Sequence, residues 1–394
     1  MAIQVAAMFG RSTYWIGVWP QAAVAAQIPV IFTAPFLAAF AAFLGGRAQT
    51  RGTGEQMRVS PRSPWAAHAA ALGSVLAYGI AVYLGGQAVA AAVSLGEPGI
   101  GWLWLGYTGL GLTVVLAAVG LGYLLGALYP SSWIGPVCAG LGFFILVNLL
   151  IERFDFYPLT AYMSETFVPT AYASRFIVAA ALVVVAVVAA VLRNDPGRLS
   201  PSRIAVSAAT MCLLLVGSFA VVSTPELMRA RTPVDPDCTD TTPKLCVWPE
   251  NHKYLGELTA MASRMARLAE AGIKVPTVSY EAGLRPGPSG FLIIEGSMWA
   301  VASHLSGEIL MANQPDLTCD WTELSDTYRR ASGEFAFWVE ASIVGGGHRD
   351  FRGGNPDIDM DAIERVVNND DETRQFVWAA QRLATMENES PCTK

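Results

Sequence analysis

Six long apolar runs fill the first 222 residues, separated by short polar connections. They cover residues 24–45, 66–93, 102–128, 134–151, 176–192 and 204–222, and none carries Asp, Glu, Lys or Arg in its interior. A helix needs about 20 apolar residues to cross the hydrocarbon core of a bilayer. The pattern therefore predicts a polytopic all-α membrane bundle of about six transmembrane helices over residues 1–223. Any one run could be a buried core helix, but six in succession would leave a soluble protein without a surface. Gly, Ala and Pro are frequent in them, as expected where helices approach closely in lipid.

Beyond residue 223 the pattern changes. Residues 232–244 are rich in Pro and Asp, so 224–244 is read as a linker and 245–394 as a separate domain. Leu255, Leu258, Met261, Met265 and Leu268 recur at three- and four-residue steps and predict a helix over 255–271. Residues 298–311, 321–344, 359–368 and 371–386 also read as helices, and Asp371 and Glu372 suit the first turn of the last. Short runs at 275–280 and 291–295 read as strands, giving a mainly helical α+β domain.

Charge sharpens this division. The chain is 53% hydrophobic and only 15% charged, against about 25% charged in a typical soluble protein. Residues 1–223 carry ten Arg, no Lys and six acidic residues, a net +4, whereas residues 224–394 carry a net −10. Seven of those Arg lie in two connections: Arg47, Arg51, Arg58 and Arg62 in the first, and Arg193, Arg198 and Arg203 in the fifth. An excess of Arg marks the cytoplasmic side. The first and fifth connections are expected inside, and the acidic C-terminal domain outside the cytoplasm of a multi-pass cell-membrane protein. Cys238, Cys246, Cys319 and Cys392 all fall in that domain, and an even set in an exported domain reads as disulfides. Cys238 with Cys246 could close a short loop and Cys319 with Cys392 could staple the C-terminus, although the four allow three pairings. Residues 1–23 hold Tyr14, Trp15 and Trp19, which suit a membrane interface. They are expected to form an interfacial helix outside, or Met1–Gly10 is the end of a further helix that starts upstream. They do not have the layout of a signal peptide.

Candidate chemistry is sparse. The polar groups nearest the apolar runs are His68, Tyr78 and Asn148, each expected to be a satisfied group at a helix contact. No Gly-rich loop ends in Lys-Ser or Lys-Thr, so the chain holds no P-loop and would draw its energy from another polypeptide. His252, His304 and His348 form no zinc spacing, and the acidic run Asn355–Asp361 lacks the offsets of an EF-hand. Ser289 has no nucleophile-elbow frame. No enzymatic activity, cofactor, metal or nucleic-acid partner is expected.

The segment from Gly46 to Trp65 carries Arg51, then Gly52-Thr53, Glu55, Arg58 and Ser60-Pro61 before the next crossing. It resembles the cytoplasmic loop of export-type permeases of ATP-binding cassette transporters. In that family this loop forms a short coupling helix that docks on the ATPase. Tyr14-Trp15-Ile16-Gly17-Val18-Trp19-Pro20-Gln21 and Cys246-Val247-Trp248-Pro249-Glu250 are similar to segments of a group of actinobacterial permease-like proteins with an exported C-terminal domain. In those relatives a full helix precedes the Tyr-Trp segment, and the exported domain has been likened to a metallopeptidase scaffold whose motif residues are missing here. The resemblance implies a transmembrane subunit that binds a cytoplasmic ATPase through Arg47, Arg51, Glu55, Arg58 and Arg62. It also implies a homodimer or a second permease subunit, with lipid around it. The alternative reading is a membrane-anchored extracytoplasmic binding or assembly protein without transport activity.

Overall fold

A computed structural model describes residues 2–11, 13–50, 63–96, 102–154, 160–194, 208–209, 212, 215–221, 223, 226–286, 290–315, 319, 323–345, 358–368, 371–388 and 392. The protein is mainly helical, and the chain divides into two compact units, Met1–Arg231 and Thr232–Lys394. The expected boundary lies a few residues earlier. Strand pairing explains the difference, because Met228–Ala230 is hydrogen-bonded into the first unit.

In the first unit the helices are α1 (Ala2–Arg11), α2 (Trp19–Gln27), α3 (Val30–Thr50), α4 (Pro64–Ser94), α5 (Trp102–Leu128), α6 (Ile134–Phe154) and α7 (Pro169–Asn194). Among the described residues four helical stretches are long and apolar enough to cross a membrane: Trp19–Arg47, Pro64–Ser94, Trp104–Leu128 and Pro169–Arg193. Ile134–Leu149 within α6 is a shorter apolar helix, and within the expected span over 204–222 the described residues, 208–209, 212 and 215–221, are helical. The first span is broken at Pro29, which has no N–H to donate into the preceding turn. The chain restarts there, with Phe32 and Thr33 donating to the Pro29 carbonyl. Both readings of residues 1–23 meet the same finding: α1 packs along the bundle. Gln4 lies against Gly86 and donates to the Ala26 carbonyl, and Met8 and Trp15 join Ala22, Ala25, Ala26 and Ala90 in one buried cluster.

The core runs along α5, which is packed between α3 and α7. A Cβ on Gly122 would stand 2.2 Å from the Ala38 carbonyl oxygen, and one on Gly126 would stand 2.0 Å from that of Ala42. The helix backbones are therefore in direct contact along this seam, as small residues allow in lipid. Large apolar side chains such as Phe32, Phe36, Phe40, Ile145 and Leu149 stay on the outside, where lipid tails can cover them.

α7 starts seven residues earlier than the apolar run predicts, with Pro169 as its first residue, a position that proline favours. Just before it, β1 (Glu165–Phe167) pairs antiparallel with β2 (Met228–Ala230). The 26 residues of α7 span about 39 Å at 1.5 Å per residue. The chain leaves one end of α7 at Asn194 and is back at the other by Met228, and Gly217 lies against Val178.

The second unit contains a three-stranded sheet ordered β3 (Asp237–Cys238), β4 (Lys244–Val247) and β5 (Val278–Tyr280). β3 is antiparallel to β4, and β5 is parallel to it. Parallel neighbours need a crossover, supplied by the 3-10 turn Pro249–Tyr254 and α8 (Leu255–Glu270). Leu258, Met261, Ala262, Met265 and Leu268 form the buried face of α8, close to the predicted stripe. α9 (Met298–Asn313), α10 (Asp326–Val344), α11 (Met360–Val367) and α12 (Glu372–Asn388) are the further helices among the described residues of this unit. The expected strand at 291–295 is reduced to a single bridge between Phe291 and Glu281.

Candidate functional site

The predicted coupling residues start at the C-terminal end of α3. Arg47 is exposed in its last turn, where a cation suits the helix dipole. Arg51, Glu55, Arg58 and Arg62 lie outside the described residues. The ends that flank this loop are tied into the bundle. Arg193 Nε, in the last turn of α7, donates to Gln49 Oε1 at 3.2 Å. His68, one turn into α4, is hydrogen-bonded to the Tyr123 hydroxyl near the end of α5 at 2.8 Å, and both are buried. Cβ atoms on Gly45 and Gly46 would meet the Tyr123 and Gly126 carbonyls, so the last turns of α3 press directly on α5.

Of the three polar groups singled out from sequence, His68 is satisfied by Tyr123 and Asn148 donates to the Phe144 carbonyl, while Tyr78 points outward. The larger polar network was not foreseen. Gln87 Nε2 donates to the Ala23 carbonyl and to the Tyr83 hydroxyl, its Oε1 accepts from Thr108, and Tyr83 donates to the Thr108 carbonyl. This joins α2, α4 and α5 without any ionised group. A single Gln in an apolar run was the only signal for it. Arg175 is the second omission. Because α7 begins at Pro169, Arg175 sits inside the helix, 2% exposed, with Nη1 donating to the Ala171 carbonyl. The expectation that no charge enters a span does not hold for this helix.

In the second unit Cys238 pairs with Cys246 and Cys319 with Cys392. Cys246 opens the Cys-Val-Trp-Pro-Glu segment, whose structure explains its residue types. Trp248 is fully buried and its indole donates to the Ala282 carbonyl, while Pro249 starts the 3-10 turn. Glu281, at the end of β5, accepts from the Trp248 amide at 3.0 Å and from Asn251 Nδ2 at 2.7 Å. Burial, and then the neighbouring Glu250 carboxylate, push Glu281 up to about 8 from the ordinary 4.5. The Asn251 carbonyl oxygen is buried and makes no hydrogen bond among the described residues, so half a turn of that amide gives a proton on Glu281 its acceptor.

A raised carboxylic acid binds a proton in the native state that the unfolded chain has released. Stability is then fully present below about pH 4.5 and falls as pH rises towards 8. We expect the unfolding temperature of this unit in the full-length protein to drop between pH 5 and pH 8. Glu281→Gln should flatten that dependence. Parallel wild-type and variant profiles would show that Glu281 carries no proton in the native state.

Among the described residues no group of three or more His, Cys, Asp or Glu could hold a metal ion. His304 is bonded to the Ala300 carbonyl, and Glu308 accepts from the Ser279 hydroxyl at 2.5 Å. His252 is paired with Asp237 at 2.8 Å. Asp359 caps α11 by accepting from the Ala362 amide. His348, Ser289, Asn355 and Asp357 lie outside the described residues.

No protein-family model matches this chain, and neither a curated protein nor a solved structure does. The reading of its role rests on its own residues.

Proposed function

We propose that the chain is a permease-like transmembrane subunit of an ATP-binding cassette transporter, energised by a separate cytoplasmic ATPase. Six crossings would place both Arg-rich connections inside and residues 232–394 outside the cytoplasm. The observation that carries this reading is the Arg193–Gln49 hydrogen bond. It joins the C-terminal ends of α3 and α7, so the two Arg-rich connections leave from one end of the bundle. That end would offer a basic face set on packed helices, as an ATPase dock requires. The return of the chain to Phe167 by Met228 supports a sixth crossing. Backbone contacts and a polar network unite the helices into a folded body, which fits a transporting unit better than a bare anchor.

Purification in mild detergent, followed by mass spectrometry, should recover a nucleotide-binding ATPase in stoichiometric amount. Replacing Arg51, Glu55 and Arg58 together by Ala should lower that recovery at least tenfold while the unfolding temperature stays unchanged. Alkaline phosphatase fused after Lys394 should be active. If no ATPase is recovered from the folded wild type, the anchored binding-protein reading replaces this one.

A further inference from the structure

A cleft of about 490 Å³ opens in the second unit between the N-terminal half of α10 and the C-terminal half of α12, a volume typical of small-ligand sites. Its walls carry charges of both signs: Asp326, Arg330 and Glu334 along α10, Asp359 before α11 and Arg382 on α12. Glu334 and Arg382 pair across the two helices at 2.5 Å, with the Glu334 side chain 4% and the Arg382 side chain 27% exposed. The Arg382 guanidinium also lies over the Trp378 ring, 4.4 Å from its centre. These two contacts fix the plane of the guanidinium and use only its Nε. Its two Nη atoms make no hydrogen bond among the described residues. Two parallel N–H groups held in this way match the two oxygens of a carboxylate. Two further carboxylates, Asp326 and Asp359, line the same cleft. The Asp326 side chain is 86% exposed at the start of α10, where one of its oxygens accepts from the Arg329 guanidinium and the other stays open to a second donor. Asp359 uses one oxygen on the α11 amide and keeps capacity for another donor.

We propose that this cleft binds short peptides with free ends, the terminal carboxylate on Arg382 and the terminal ammonium between Asp326 and Asp359. A simple anion could pair with Arg330 or Arg382 but would also meet Asp326, Glu334 and Asp359 in the same lining. A simple cation leaves the Arg382 Nη atoms without an acceptor. A ligand with both charges satisfies both ends of the cleft. The proposal concerns the second unit alone and is independent of whether an ATPase binds the first.

The test uses full-length protein in detergent micelles and saturation-transfer NMR with a tripeptide pool in three forms: free-ended, N-acetylated and C-amidated. The free-ended pool should bind, and each blocked pool should bind at least tenfold more weakly. Asp326→Asn, at an exposed position away from the Glu334–Arg382 pair, should weaken the free-ended pool and remove the discrimination against N-acetylation. Arg382→Gln should remove the discrimination against C-amidation. Failure of the free-ended pool to bind wild type overturns the proposal. So does equal binding of the blocked pools, or a folded Asp326→Asn variant with unchanged affinity.

Discussion

Gly126→Ala is expected to destabilise the first unit by about 3 kcal/mol, the upper range for overpacking a tight contact. The added methyl would stand 2.0 Å from the Ala42 carbonyl oxygen, and that atom belongs to helix backbone that no rotamer change can clear. α3 and α5 must move apart, and the contacts of Tyr123 and Ala127 with Ala41 loosen with them. Gly122→Ala should behave in the same way, since its methyl would meet the Ala38 carbonyl at 2.2 Å. Gly142→Ala is the control. Nothing lies within 4 Å of a Cβ there, and alanine is the better helix former by about 1 kcal/mol. The measurement is the thermal midpoint of the purified protein in mild detergent. A Gly126→Ala midpoint equal to that of Gly142→Ala would mean that the two helices do not touch along this seam.

Removing the Cys319–Cys392 bridge should cost the second unit about 4 kcal/mol, and removing Cys238–Cys246 about 2 kcal/mol. In the chain-entropy account the effect grows with the length of loop closed, and the two bridges span 73 and 8 residues. The longer one has a further task. Cys392 bridges to Leu324, just before α10, so it ties the chain end beyond α12 to the start of the helix that α12 packs on. α12 has only Ala379 and Met386 buried and cannot hold itself in place by apolar area alone. Replacing each pair by Ser and comparing denaturant midpoints of the full-length protein checks the ranking. Equal losses for the two pairs would rule out loop length as the cause.

Much of the architecture was legible because it depends on sums over neighbouring residues. The apolar runs predicted α4 and α5 nearly to their ends, since hydropathy averaged over about 20 residues is insensitive to single positions. The five helices of the second unit were readable for a similar reason, as with the stripe from Leu258 to Leu268 on α8. The expected start of α7 failed because hydropathy breaks at Arg175, whereas backbone geometry is set by Pro169 and by the β1–β2 pair before it. Helix and apolar run are different properties, and a charge can enter the first when it is buried against its own turn.

The candidate site was less legible. Arg47 and the arginines after it are visible as charge in a polar connection. That Gln49 meets Arg193 is not, because the two are 144 residues apart. Gln87 and Gln4 gave only the weak signal of an amide among apolar residues. Glu281 and Arg382 gave none, since an acid or a base in a soluble segment is ordinarily solvated and its type alone says nothing about burial.

By itself the sequence determined that apolar helices fill the first part of the chain, that an acidic domain with four cysteines follows, and that arginine collects in two connections. These follow from local composition, and transfer of a side chain from water to an apolar medium is nearly independent of its distant neighbours. Only the tertiary structure decided which cysteines pair, which glycines let backbones touch, and which polar groups share a hydrogen bond. Those outcomes depend on distances of a few ångströms between residues far apart in the chain. Such distances are set by the packing of every element at once.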